Sequence, residues 1–196
     1  MSVTRRNRRL LGMGAALALL LGMTLGGTNA TAHDDKTGAR AVLRDRNGQR
    51  VAIVTFFPAS HGEVTVRVRA RRLPPGFHGF HVHAIGVCDP ATGFTSAGGH
   101  LNPANVTHGD HAGDLPVLLV NADGSAQATV ATDRFSMDQL LDADGSAMVV
   151  HAAADNYANI PTRYHSHDAN VFGPDPTTLS TGDSGDRIAC GRVRRS

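Results

Sequence analysis

"EVTVRVRARRL", residues 63 to 73, alternates strictly: Val64, Val66, Val68 and Ala70 take one face, and Thr65, Arg67, Arg69 and Arg71 the other. Successive strand side chains point to opposite sides of a sheet, so this segment is a strand with one apolar and one wet face. Such a strand needs partners, and the chain offers them. "ARAVLRD" (39–45) meets "RNGQR", where Asn47-Gly48 marks a tight hairpin, and "RVAIVTFF" follows before a break at Pro58 to Gly62. Further strands are expected over 114–121, 125–133, 146–152 and 187–193, with a second hairpin signal in "NADG" at 121–124. Only "SMDQLLD" at 136–142 offers a helical turn. Many short strands with Gly and Asn turns predict an antiparallel sandwich or barrel. Three stretches, 85–113, 134–145 and 156–186, do not read as strand. The first and third are long for a compact domain, where long loops are usually functional or disordered.

The chain starts differently. Arg5, Arg6, Arg8 and Arg9 precede a charge-free run from Leu10 to Ala32 that ends in Ala30-Thr31-Ala32. A basic start, an apolar middle and a small-x-small end describe an export signal cut after Ala32. The alternative is an uncleaved anchor, but the clearly apolar part is short for a spanning helix. The two Arg pairs also admit the twin-arginine route. The expected organisation is a signal at 1–32, a polar tail "HDDKTG" at 33–38 and one domain over 39–196. Cleavage removes four Arg and takes Lys+Arg from 19 to 15 against 17 Asp+Glu. The mature charge is then about −2, with no basic stripe in the sequence and no nucleic-acid partner implied. Nothing after Ala32 resembles a membrane span. In an exported protein, Cys88 and Cys190 are expected to form one disulfide, the alternative being two free buried thiols.

Histidine concentrates in and beside the two long loops. In "HGFHVH" (78–83), His81 and His83 share one strand face, about 6.6 Å apart along the strand and close enough for one metal ion. Phe80 and Val82 take the other face and belong to the core. His78 has their parity, so it reads as a structural histidine hydrogen-bonded near the strand start. An H-x-H alone is weak evidence. The rest of the chain strengthens it: His100 in "SAGGHLNP", His108, His111 and Asp114 in "THGDHAGDL", His151 ending "AMVVH", then Asp155, and Arg187 three residues before Cys190 in "GDRIACG". In order and local context these motifs resemble the copper/zinc superoxide dismutases over roughly residues 39 to 193, and the short step from His83 to Cys88 looks like the bacterial branch.

The resemblance implies an all-β, antiparallel Greek-key barrel or sandwich of about eight strands with long metal-binding and active-site loops. It implies one copper per chain on His81, His83, His100 and His151, an all-imidazole set suited to both oxidation states. One zinc per chain would be held by His100, His108, His111 and Asp114, with His100 bridging the ions. Asp155 would lie outside both sets and link His81 to His108. Cys88 and Cys190 would be the family's disulfide, worth on the order of 4 to 5 kcal/mol in the chain-entropy model. The implied activity is dismutation of superoxide to dioxygen and hydrogen peroxide by copper redox cycling, with Arg187 and His100 as catalytic residues. Arg187 offers the anion a fixed positive charge, and His100 carries a proton. Superoxide is then the partner, the location is extracytoplasmic, and a homodimer is left open. The rival reading is an exported, non-catalytic copper/zinc-binding protein, a buffer or a chaperone-like relative. Such relatives typically lose copper ligands or the Arg, and all are present here.

Two departures from the family stand out. His108, His111 and Asp114 are separated by only two residues each, a shortened zinc loop that is nevertheless expected to hold its ion. The 156–186 loop is longer than the common form and carries His165 and His167, with Arg163 outnumbered by Asp168, Asp175, Asp183 and Asp186. Lysine-based steering of superoxide therefore does not carry over.

Overall fold

The computed structural model describes residues 38–196, so the expected export signal lies outside the described residues. The first hairpin forms as its turn chemistry demands. β1 (Ala39–Asp45) and β2 (Arg50–Pro58) flank a turn where Gly48 sits at φ 77°. The Asp45 carboxylate accepts from the Asn47 and Gln49 amides at 3.0 and 2.8 Å. β3 (Val64–Ala70) keeps its alternation in space: Val64, Val66, Val68 and Ala70 are buried, and Arg69 is exposed.

β4 (Gly76–His78), β5 (Phe80–His83), β6 (Leu118–Val120) and β7 (Ala126–Thr132) follow. α1 (Met137–Leu140) carries a reciprocal cap between Ser136 and Gln139, which satisfies two of the otherwise unpaired amides at its start. β8 (Ala147–His151), β9 (His165–Ser166), β10 (Val171–Phe172), α2 (Pro176–Thr181), β11 (Arg187–Arg192) and β12 (Arg194–Arg195) complete the order.

The main sheet has eight strands in the order β5-β8-β11-β1-β2-β3-β7, with β12 beside β1, and every ladder is antiparallel. β4 pairs with β6 in a separate ladder. β4 runs through Gly79 into one edge strand, β5, and β6 leads into the other, β7. That pair therefore ties the two edges together and curls the sheet into a barrel. Phe56, Phe80, Leu43, Leu115, Leu118, Met148 and Val54 fill its interior, each contributing roughly 1.5–3 kcal/mol by burial.

Several expectations need correction. The strand at 114–121 shrinks to Leu118–Val120. "NADG" does turn, with the Asn121 amide donating to Ser125 O at 2.8 Å, but β6 pairs with β4 rather than hairpinning onto β7. The 156–186 segment is not bare loop: it holds the small β9–β10 ladder and α2. α2 starts where Asp175 caps the Thr178 amide at 2.8 Å and Pro176 occupies the first turn, a start signal that four apolar-poor residues after it obscured.

Candidate metal centre

β5 places the site. Phe80 and Val82 enter the barrel core, while His81 and His83 point outward, yet all four are buried. The outward face is dry because the loop after β5 packs over it, with Phe94 and Ala97 against Ala147, Val149 and Cys190, and pairs along the free edge of β5: Ala84 N–H donates to Gly99 O, Leu101 N–H to Val82 O, and Val82 N–H to Gly113 O. Directly opposed residues of an antiparallel ladder share a face, so the register assigns the outward set. His81 opposes Val149, and His151 on β8 opposes Arg187 on β11. His78 faces away, its ring nitrogens 2.7 and 2.8 Å from the carbonyls of His151 and Pro74. Parity thus sorts the three histidines of the motif as the sequence predicts.

Each imidazole in the cluster has one nitrogen held by the protein. His83 Nδ1 donates to Gly98 O at 2.9 Å, and His151 Nδ1 to Gly185 O at 3.0 Å. His81 Nε2 donates to Asp155 Oδ2 at 2.6 Å, and His108 Nε2 to Asp155 Oδ1 at 2.8 Å. A neutral ring that donates from one nitrogen presents a lone pair on the other. The Nε2 atoms of His83 and His151 consequently face each other at 3.3 Å with no proton between them. His81 Nδ1 and His100 Nε2 are buried without any hydrogen-bond partner. Four lone pairs that meet in a buried space call for a cation. The ligand atoms of His81, His83, His100 and His151 all lie within 4.8 Å of one another.

The second cluster, His100, His108, His111 and Asp114, meets the same 4.8 Å limit. The shortened loop reaches because it closes on itself. Asp114 N–H donates to His111 O, and Asp114 Oδ2 accepts from the amides of Gly109 and His111 at 2.9 and 3.1 Å. His111 Nδ1 lies 3.3 Å from both His100 Nδ1 and Asp114 Oδ1. That separation is about the edge of a tetrahedron with bonds of roughly 2.0 Å, the zinc geometry. His108 Nδ1 approaches Asp114 Oδ2 at 3.2 Å without the alignment of a hydrogen bond, so no protein group ties this nitrogen down. His100 belongs to both clusters, with Nδ1 on Asp114 Oδ1 at 2.7 Å and Nε2 turned to the other histidines. A cleft of about 340 Å³, lined by His100, His111, Asn102 and Leu179 among others, opens beside it.

Electrostatics follow burial in the metal-free protein. Burial, reinforced by neighbouring rings, pushes His100 down to about 4 and His151 to about 3, and lowers His83 as well. These imidazoles are neutral and ready to act as ligands. Burial also disfavours charge on His108, but Asp114 and Asp155 outweigh it and raise this ring to about 9. Hydrogen bonds from His100 to Asp114, and from His108 and His81 to Asp155, likewise overcome burial at both carboxylates and hold them well below the usual carboxylate range.

Arg187 sits at the rim, half-buried. Its two terminal nitrogens donate to the carbonyls of Phe94 and Gly98, both at 2.7 Å. Gly98 O therefore fixes the guanidinium and His83 together. The Cys88–Cys190 disulfide, with Cα atoms 5.6 Å apart, pins this loop to β11. Two contributors escaped the sequence reading. Arg134, from the segment after β7, donates to Gly109 O at 3.0 Å and to Asp114 O at 3.4 Å, bracing the shortened loop from outside. Gly182 ends α2 at φ 64°, where any Cβ would collide with the Asp155–His108 pair. For Gly182 the signal was a glycine just past a helix; for Arg134 there was none.

A profile of the copper/zinc superoxide dismutases matches residues 51–193. Cu-Zn superoxide dismutase of Mycobacterium tuberculosis is 41% identical over 176 residues, covering 82% of this chain and 73% of that protein. The Escherichia coli enzyme of the same name is 35% identical over 181 residues, covering 85% and 92% respectively. Among solved structures, a SOD-like protein from Bacillus subtilis superposes with a TM-score of 0.62 at 33% identity, covering 80% of this chain and 98% of its own. The chain belongs to the copper/zinc superoxide dismutase family, oxidoreductases that act on superoxide with copper and zinc as their metals.

Proposed function

We propose that His81, His83, His100 and His151 hold copper, that His100, His108, His111 and Asp114 hold zinc, and that the site dismutates superoxide. The observation that carries this assignment is the tethering of the rings: one nitrogen of each copper-set ring is held by a carbonyl, by Asp155 or, for His100, by Asp114, and the bare ones converge. Bound copper supplies a one-electron couple that accepts an electron from one superoxide, leaving dioxygen, and donates one to a second, which with two protons becomes hydrogen peroxide.

The protein's own residues do the rest. Arg187 supplies a fixed positive charge near the incoming anion, held rigid by two carbonyls. His100 bridges the clusters and stands beside the cleft, so its Nε2 is the atom on which a proton is held and passed on. Asp155 fixes the rings of His81 and His108 at once, which couples the order of one metal set to the other. A metal-free preparation given Cu(II) and Zn(II) should regain superoxide dismutation with one of each ion per chain. Fully copper-loaded protein no faster than free-copper controls would move the assignment to the metal-buffer reading.

Residues 1–32 act in this reading as an export signal cut after Ala32, and the disulfide fits an extracytoplasmic location. Among the described residues no helix is long and apolar enough to cross a membrane. A homodimer would have an exposed apolar pair to bury, Phe77 opposite Leu119 on β4 and β6. Sedimentation equilibrium reads that association.

A further inference from the structure

The outer face of the sheet away from the metal centre gathers arginines. Arg40 and Arg44 on β1, Arg50 on β2, Arg69 on β3, and Arg192 and Arg194 at the end of the chain are all exposed. Register brings them together: Arg40 lies directly opposite Arg194, and Arg44 directly opposite Arg50. Like charges facing each other across a ladder destabilise a sheet. Among the described residues none of the six enters an ion pair, and Arg44 alone hydrogen-bonds, to the Gly48 carbonyl at 2.7 Å. No strand residue described on this face carries a carboxylate. A cavity of about 580 Å³ opens between Arg40, Arg192, Arg194 and Arg195.

We propose that this face is a docking surface for the phosphate headgroups of an anionic bilayer. Guanidinium groups match phosphate oxygens as two-pronged donors, and the cavity offers one headgroup several of them. The charges spread in two dimensions over β1, β2, β3 and the β11–β12 run. That layout suits a lattice of headgroups better than a single polymer strand, which would follow a line or groove. None of the exposed large apolar side chains belongs to these strands, so adhesion is electrostatic and peripheral, without insertion. On a mature protein of slightly negative net charge, such a patch orients the molecule on the surface rather than merely attracting it.

The test is co-sedimentation of the exported holoenzyme with phosphatidylcholine vesicles, with and without phosphatidylglycerol. Binding is expected only with phosphatidylglycerol, and should vanish as salt shortens the screening length. Arg40→Gln/Arg194→Gln should bind roughly 30-fold more weakly, each arginine near a charged bilayer being worth about fivefold. Its dismutation rate and melting temperature should be preserved, and Arg163→Gln, in the loop between β8 and β9, should bind like the parent. Equal binding to both vesicles, no binding, or full binding by the double variant overturns the proposal. Capture by soluble polyphosphate or duplex DNA without vesicle binding overturns it too and reassigns the patch to a polymer.

Discussion

One sheet carries two opposite solutions on its outer face. Along β5 and β8 that face holds imidazoles under loops, with His81 and His83 fully buried. Along β1, β2 and β3 it holds arginines in water. The same alternation orients both sets, so the difference lies in the cover. Where the 84–113 and 152–186 segments close over the strands, desolvation strips charge from His83, His100 and His151 and leaves lone pairs for metal. Where no described segment closes over, the guanidinium groups stand in water and repel their neighbours. A covered polar face must be satisfied group by group, whereas a bare one is satisfied by solvent.

The largest effect should come from the covered end. His151→Ala removes one of four converging nitrogens and should bring activity down to the free-copper control, measured with copper content alongside. Retained copper and rate would show that the convergence is not the binding set. Next comes Asp155→Asn, which leaves both rings present but turned loose. Affinity for both metals should drop about 10- to 100-fold in chelator competition. A fall confined to one metal would mean that the carboxylate does not couple the sets. Arg187→Ala should keep copper and lose roughly tenfold in rate at low salt, with Arg187→Lys losing less. An unchanged rate for the alanine variant would put this arginine outside the reaction.

Acid should distinguish the two ends without mutation. The folded-state values of His83, His100 and His151 lie below the ordinary 6.5, so the unfolded chain takes up their protons first. Metal-free protein should therefore lose stability as pH falls below about 6.5, and keep losing it toward 4, with the Asp114 and Asp155 contributions lost further down. His108 has the opposite sign: raised to about 9, its contribution is full below 6.5 and is lost as pH rises through 9. Calorimetry from pH 4 to 10 should give a melting temperature that falls on both sides of neutrality, and a flat acid limb would contradict the burial argument. The smallest effect belongs to the bare end. Arg69→Gln should change stability by less than about 0.5 kcal/mol, as exposed substitutions do, and a larger loss in urea unfolding would reveal a contact beneath the arginine layer.

How much of this was legible depended on range. β1 and β3 were visible because turn chemistry and a two-residue period are written within a few residues. The same period separated His78 from His81 and His83, and the metal clusters were legible through the family's motifs. α2 was hidden inside a loop-like composition, although Asp175-Pro176 signalled its start. Arg134 carried no signal because its bond to the Gly109 carbonyl joins residues 25 apart in sequence. The basic face was invisible for the same reason, and the reading that no basic stripe exists holds for the sequence alone. Residues 40, 50, 69 and 194 become neighbours only through strand pairing. Sequence by itself determined which way each strand residue points, since that is fixed by local backbone geometry. Only the tertiary structure decided what stands across from it and what covers it, because ladder partners and overlying loops come from distant parts of the chain, and burial, not residue type, sets whether a histidine is charged or an arginine is free.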